Sequence, residues 1–259
     1  MEKKLNWEGY TLGELIAVLS GKGGTGKTSV CAAVSTALAR MGHRVLAIDC
    51  DMGLQNLDIS LCLSDTGAIS FLDVCEGGYR LDQAAKHHQF ATLSFLTAPL
   101  NRTAESVDAD GFKSMVRAAK REFDYIFLDA PAGIDAGFSL AAKHADRCLI
   151  VTGADPAAIR DAARAAQRLE LMGKQDVRLI VNRVSRKLFS TMSVTVDDVM
   201  DNAGLPLIGV VPEDQNVTLA AAFGTPLIAY TNRGAAKACE AIAKRLEGRH
   251  VPLSFFDFF

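Results

Sequence analysis

Apolar runs alternate along this sequence with segments whose apolar residues recur at helical spacing. The runs are mostly continuous rather than alternating, which is typical of parallel strands that are buried on both faces. We predict strands at Leu15–Ser20, Arg44–Asp49, Leu93–Thr97, Tyr125–Asp129, Arg147–Thr152, Val177–Val184 and Leu207–Val211. We predict helices between Gly26 and Gly42 and at Asp110–Arg121, Gly133–His144, Pro156–Gly173, Thr195–Asn202 and Gly234–Glu247. This order predicts an α/β fold with a single doubly wound, mostly parallel sheet and helices on both faces.

Composition narrows the class of protein. The 259 residues are 49% hydrophobic and carry 28 Lys+Arg against 30 Asp+Glu, a net charge of −2. These values exclude wholesale disorder and argue against nucleic-acid binding over the whole surface. Six cysteines without a Cys-x-x-Cys pair favour reduced thiols, and no apolar run approaches the roughly 20 residues that span a bilayer. We therefore expect a soluble, cytoplasmic chain with one domain at 15–248, an N-terminal extension at 1–14 and an aromatic tail at 249–259.

The strongest chemical signal follows the first predicted strand, where the sequence reads Gly21-Lys22-Gly23-Gly24-Thr25-Gly26-Lys27-Thr28. A strand, this glycine-rich loop and a helix form the P-loop arrangement, in which backbone N–H groups and the helix start cradle phosphates. Lys27 can place its ammonium on the β- and γ-phosphates, and the Thr28 hydroxyl can ligate Mg²⁺. The expected ATP-binding residues here are Gly21, Lys22, Gly23, Gly24, Thr25, Gly26, Lys27, Thr28 and Ser29.

A second lysine, Lys22, is not required by the general motif. With it, the loop resembles the deviant Walker A signature of the MinD/ParA family of ATPases. The resemblance implies that Lys22 reaches across a dimer to phosphates held by the other subunit. There it would act as an arginine finger does elsewhere, which is worth about 10³–10⁵ in turnover.

Two carboxylates, Asp49 and Asp51, stand at the end of the second predicted strand. Taken alone, such acids are often helix caps or turn formers. The string Asp49–Asp58, however, closely resembles the first switch of the MinD branch of the family. That likeness implies that Asp51 orients the attacking water, Asp49 supports the Mg²⁺ and phosphate region, and Asn56 lies in a moving loop.

Asp129 ends another buried strand, in the arrangement of a Walker B acid that holds Mg²⁺ directly or through water. The string from Leu128 to Ile134 resembles the second switch of the same branch, where proline and glycine let the loop respond to the γ-phosphate. The resemblance therefore implies a Mg²⁺ site at Thr28, Asp49 and Asp129, and a catalytic set of Lys22, Lys27 and Asp51.

Two later segments resemble the family's base pocket. Asn182 ends a strand and would offer its amide to adenine, and Gly209–Val217 would wall the base with Pro212, Glu213 and Asp214. The resemblance runs from about Leu15 to Pro252. It implies a Mg²⁺-dependent ATPase that forms a homodimer with ATP, turns over slowly alone, and regulates septum placement through a MinC-like inhibitor and a MinE-like or other activator.

The end of the sequence departs from the family. MinD proteins typically end in a basic amphipathic helix, and Pro252 with the few residues after it leaves no room for one. Four phenylalanines fall in the last five residues, 255–259. We interpret them as a weak aromatic anchor that meets the inner face of the cell membrane only in the dimer. The alternative is that these rings pack on the domain's own surface or in a partner's groove.

Other functions remain open at this point. Arg160, Arg164 and Arg168 form a basic stripe on a predicted helix. We interpret this stripe as a solvated face and expect no DNA partner, although a ParA-like DNA segregation ATPase is the alternative. Other MinD-like positioning regulators, a small-molecule ligase and an iron–sulfur scaffold share the fold, and the missing Cys-x-x-Cys argues against the last.

Overall fold

The computed structural model describes residues 12–64, 66–185 and 195–253. Its strands are β1 (Glu14–Leu19), β2 (Val45–Asp49), β3 (Ala85–Lys86), β4 (Leu93–Leu96), β5 (Tyr125–Asp129), β6 (Arg147–Thr152), β7 (Val177–Val184) and β8 (Leu207–Pro212). They form one sheet in the order β3-β4-β2-β5-β1-β6-β7-β8. Every pairing between neighbours is parallel except that of β3 with β4. The predicted doubly wound, mostly parallel sheet is confirmed.

The longer helices connect these strands. They are α1 (Lys27–Arg40), α4 (Ala109–Glu122), α5 (Ala136–Lys143), α6 (Pro156–Leu171), α7 (Val196–Ala203), α8 (Gln215–Ala222) and α10 (Gly234–Leu246). Three short helices are α2 (Leu57–Leu61), α3 (Phe71–Cys75) and α9 (Leu227–Tyr230). None of the helices in the described residues is long and apolar enough to cross a bilayer.

The sheet separates two apolar layers. In β1, Leu15, Ala17 and Leu19 pack toward the layer built with α3 to α7. Ile16 and Val18 pack toward the layer of α1, α2, α9 and α10. Because a strand that is covered on both faces buries successive side chains in opposite layers, β1 is apolar from Leu15 to Leu19. The carboxyl ends of the strands in this sheet form the edge where open α/β sheets bind ligands.

The predicted strands agree with the observed ones to within a residue at each end. The predicted helix Gly133–His144 instead begins at Ala136, because Gly133 has φ 96° and its N–H donates to Ser20 O at 3.0 Å. The sequence patterns missed β3, α2, α3, α8 and α9, most of which are too short to show a period. Of the two predicted terminal segments, residues 1–11 and 254–259 lie outside the described residues, so the proposed domain limits stay predictions.

His87 provides a test of stability against pH. Its buried ring donates from Nε2 to Leu61 O at 2.9 Å, and Nδ1 accepts from the N–H groups of Gln89 and Phe90. Burial, and then the neighbouring His88, lowers the pKa of His87 to about 4. The unfolded chain therefore binds a proton near pH 6.5 while the folded chain does not. The free energy of unfolding should fall by roughly 3 kcal/mol as the pH drops from 6.5 to 4.

Urea unfolding between pH 7 and pH 4 measures this loss. We expect His87→Gln to be less stable than wild type at pH 7 and to lack this part of the acid-induced loss. His88→Gln, which changes the exposed neighbour, is the control and should retain most of the loss, because burial is the larger cause of the lowered His87 pKa. An acid-induced loss of equal size in His87→Gln and wild type would show that His87 is not its source.

Candidate functional site

The loop between β1 and α1 depends on close backbone approach. Gly24 and Gly26 have φ values of 79° and 82°, which favour glycine. A Cβ on Gly26 would also lie 2.3 Å from Asn182 Nδ2, and one on Gly21 would lie 2.2 Å from Asp161 O. The sequence therefore uses glycine where the loop bends and where it touches β7 and α6. The result is a turn at the start of α1 whose backbone N–H groups can bind an anion.

Under this loop, Lys27 and Asp129 form a buried ion pair. Lys27 Nζ lies 2.7 Å from Asp129 Oδ1, and the two side chains are 7% and 1% exposed. Lys27 Nζ also lies 3.3 Å from Thr28 Oγ1. Burial raises the pKa of the Asp129 carboxyl, although the Lys27 ammonium and the Thr28 hydroxyl beside it act in the opposite direction. The structure thus brings together the three side chains that the P-loop and Walker B strings predicted.

Three buried oxygens have no hydrogen-bond partner among the described residues: Ser20 Oγ directly after β1, Thr25 Oγ1 in the phosphate loop, and Asp129 Oδ2. Buried polar atoms normally find partners, so unpaired ones indicate a site for a ligand, an ion or water. Hydroxyl and carboxylate oxygens are also the ligands that Mg²⁺ prefers. The residues present therefore fit a magnesium–phosphate group, and Thr28 and Asp129 are candidate protein ligands for the metal.

Asp49 lies beside Asp129, because the two residues are register partners in β2 and β5. Its Oδ1 accepts the Asp51 N–H at 2.8 Å and its Oδ2 accepts the Leu57 N–H at 3.1 Å. Burial, and then the charge of Asp129, raises its pKa to about 7. Asp49 thus holds both ends of the loop between β2 and α2, so any part it takes in binding Mg²⁺ is coupled to that loop.

Asp51 forms a turn within the same loop. Its Oδ1 accepts the N–H groups of Gly53 and Leu54 at 3.1 and 3.2 Å. Gln55, which the sequence analysis did not select, has φ 50° and donates from Nε2 to Ala98 O and Pro99 O at 3.3 and 3.1 Å. Asn56 precedes α2 without a side-chain cap. The turn-forming interpretation of Asp51 therefore describes its contacts in this structure, and its role in orienting water stays a prediction.

The Lys22 side chain forms an ion pair within its own chain. Its Nζ lies 2.9 Å from Asp155 Oδ1, and the two side chains are 36% and 50% exposed. Asp155 also caps α6 by accepting the Ala158 N–H at 3.0 Å. Burial acts to raise the pKa of Asp155, but the hydrogen bonds from Lys22 and from the Ala158 N–H hold it below its ordinary value. Sequence reasoning missed this contact, because the residue that precedes Pro156 indicates only a helix cap.

The predicted base-binding residues line one cleft of about 800 Å³ at the carboxyl ends of β7 and β8. Asn182 is 5% exposed and donates from Nδ2 to Thr25 O at 2.7 Å, which ties β7 to the phosphate loop. Asp214 caps the start of α8 by accepting the Asn216 N–H at 2.9 Å. Six of the residues that the sequence predicts to bind ATP line this cleft: Gly26, Ser29, Asn182, Pro212, Glu213 and Asp214. The cleft therefore adjoins the phosphate loop at Gly26 and the first turn of α1 at Ser29.

Comparisons with known proteins agree with this geometry. Residues 16–227 match the model of the CobQ/CobB/MinD/ParA nucleotide binding domain. Septum site-determining protein MinD of Synechocystis is 38% identical over 250 residues, which cover 95% of this chain and 93% of that protein. The fold matches the MinC:MinD cell division protein complex of Aquifex aeolicus with TM-score 0.86 and 35% identity, covering 93% of this chain and 98% of that one. It also matches MinD complexed with Mg-ADP from Pyrococcus horikoshii, with TM-score 0.79, 28% identity, and 91% and 96% of the two chains covered.

Proposed function

Because the chain belongs to the CobQ/CobB/MinD/ParA nucleotide-binding family and is a MinD-like ATPase that regulates the division site, we propose that it acts as an ATP-driven dimerisation switch. One observation carries the proposal: Lys27, which directly follows the glycine loop, forms a buried ion pair with Asp129, whose Oδ2 has no hydrogen-bond partner among the described residues. A buried ion pair with an unpaired carboxylate oxygen is poorly compensated. An anion on the loop and a cation at the carboxylate would satisfy both partners.

In the proposed ATP state, the loop amides and the Lys27 ammonium hold the triphosphate. The Thr28 hydroxyl and the Asp129 carboxylate would hold Mg²⁺, which would supply positive charge against the phosphates. Asn182 and the walls at Pro212, Glu213 and Asp214 orient the adenine, as the family resemblance implies. Calorimetric titration with ATP, with and without Mg²⁺, tests this step. We expect heat of binding that is much larger with Mg²⁺, and no heat in either titration would remove the proposal.

Lys22 would connect binding to dimerisation. By resemblance, it crosses to the phosphates of a second subunit, while Asp51 orients the water that attacks the γ-phosphate. The exposed Lys22–Asp155 contact supports this part of the proposal, because Lys22 can leave Asp155 at small cost. Turnover by one subunit alone should be slow, since the crossing lysine is missing until the dimer forms.

The Lys22–Asp155 pair predicts how the dimer can be strengthened. Asp155→Asn keeps the helix cap but removes the charge that holds Lys22 on its own chain. We expect the dissociation constant of the ATP-bound dimer to fall by about twofold to thirtyfold, because each of the two subunits gives up one exposed pair worth about 0.2–1 kcal/mol. Analytical ultracentrifugation with a non-hydrolysable ATP analogue measures this constant.

Asp108→Asn is the matched control for that experiment. Asp108 caps α4 by accepting the Gly111 N–H at 2.7 Å, and no ion pair is formed by its side chain in the part of the chain that the structure describes. It should leave the dimer constant unchanged. A constant that is likewise unchanged in Asp155→Asn would show that the pair does not oppose dimerisation.

The proposed partners follow from the relatives. A MinC-like inhibitor is supported by the MinC:MinD complex to which the fold is similar. A MinE-like or other activator would raise turnover in the dimer.

Arg245 donates to Val251 O at 3.0 Å and to Pro252 O at 2.9 Å, which fixes the start of the C-terminal segment. The phenylalanines that we propose as a weak membrane anchor lie outside the described residues.

A further inference from the structure

We infer that Arg183 is a nucleotide-retaining residue, whose guanidinium spans the mouth of the base cleft and packs on a bound purine. This inference rests on the proposed nucleotide site and adds a residue to it. The sequence predicts a role in base binding for the preceding Asn182 and none for Arg183. The inference depends on the backbone conformation of Arg183, on its two hydrogen-bond partners and on its position at the cleft.

Arg183 has φ 57°, a left-handed backbone conformation that residues other than glycine, asparagine and aspartate rarely adopt. The pairing of β7 with β8 shifts register between Val181 and Val184, so an irregularity in the strand sits at this residue. Unfavourable backbone conformations of this kind persist where the surroundings enforce them, and they cluster at functional sites. Here the conformation turns Arg183 outward while Asn182 stays buried against the phosphate loop.

The guanidinium joins the two sides of the nucleotide cleft. Nη1 donates to Gly24 O in the phosphate loop at 3.3 Å, and Nη2 donates to Glu213 Oε1 at 3.1 Å. Arg183 and Glu213 both line the cleft, together with Gly26 and Asn182. A group that contacts both the phosphate loop and the base wall crosses the space between phosphates and base. A nucleotide bound there would lie against it.

The chemistry of arginine suits this position. Its guanidinium is flat and stacks on aromatic rings, and it keeps donors free while two of them are engaged. The side chain is 60% exposed, so it can move aside to admit a nucleotide and then return to Glu213. Such a residue slows dissociation of ATP and ADP alike, and it favours purines over pyrimidines because the larger ring system offers more stacking area.

The test uses the wild-type chain and Arg183→Asn, because asparagine tolerates the left-handed conformation and lacks the guanidinium. Stopped-flow displacement of a fluorescent ADP analogue measures the dissociation rate, and ADP avoids complications from hydrolysis and dimerisation. We expect a rate increase between about 3-fold and 30-fold, with an unchanged melting temperature. The preference for ADP over CDP should fall in the same variant.

Two further variants separate stacking from a structural role. Arg183→Lys keeps the charge but lacks the flat guanidinium, so its dissociation rate should resemble that of Arg183→Asn rather than that of wild type. Arg178→Asn lies on the same strand, pairs with Asp176 at 2.8 Å away from the cleft, and should leave the rate unchanged. If Arg183 were only a structural brace, the melting temperature would fall along with nucleotide retention, which would overturn the inference.

The outcomes also distinguish this inference from the proposal on which it rests. A wild-type chain that binds no ADP would overturn both. A wild-type chain that binds ADP, with an equal dissociation rate and equal ADP-over-CDP preference in Arg183→Asn, would overturn the inference and leave the proposed function standing.

Discussion

Replacing Lys22 by alanine is expected to lower ATP turnover by about 10³–10⁵-fold, the effect of removing an arginine finger elsewhere. The variant should still bind ATP and ADP, because Lys27 and the loop amides remain. It should also fold normally, since the contact it loses, with Asp155, is exposed. Single-turnover hydrolysis of radiolabelled ATP gives the rate constant, and calorimetry with ADP shows that the binding site is intact.

Lys86→Ala is the matched control for Lys22→Ala. Lys86 is exposed on the short edge strand β3, remote from the carboxyl ends of the central strands. Its removal should leave turnover within about twofold of wild type. If Lys22→Ala also stays within that range, Lys22 has no part in hydrolysis, and the deviant lysine is only a solvated loop residue.

Lys27→Ala should have the second large effect, on nucleotide affinity and on stability together. Loss of a charged donor to the phosphates should weaken ATP and ADP binding by roughly 100-fold. Asp129 would then be buried with no cation beside it, which typically costs about 3–5 kcal/mol of unfolding free energy. Calorimetry measures the first effect and urea unfolding the second.

A double variant separates the two effects. Lys27→Ala with Asp129→Asn removes the uncompensated charge, so much of the lost stability should return while nucleotide binding stays weak. If binding recovers together with stability, the single variant failed through misfolding, and Lys27 is not a phosphate ligand. If stability does not recover, the ion pair is not the source of the loss.

The parts of the site that local sequence determines were predictable. The phosphate loop lies in consecutive residues, and its glycines are required by backbone angles and close contacts at Gly24 and Gly26. The buried strands that end at Asp49 and Asp129 are continuous apolar runs, and neighbouring parallel strands place their carboxyl ends at one edge. These features follow from short-range patterns together with the rules of parallel sheets.

Contacts between distant residues could not be predicted in this way. Lys22 and Asp155 are 133 positions apart, and each alone is typical of a loop or a helix cap. The left-handed conformation of Arg183 depends on the irregular pairing of β7 with β8, for which the local sequence has no glycine signal. Asp51 shows a third limit, because its contacts are those of a turn former while the family resemblance implies a catalytic role.

The most direct test of the account is the molar mass of the wild-type protein in solution, measured by light scattering after gel filtration with Mg²⁺. We predict twice the mass of the single chain with a non-hydrolysable ATP analogue, and the mass of the single chain with ADP. The same single-chain mass with both nucleotides, under conditions in which calorimetry shows that both are bound, would contradict it.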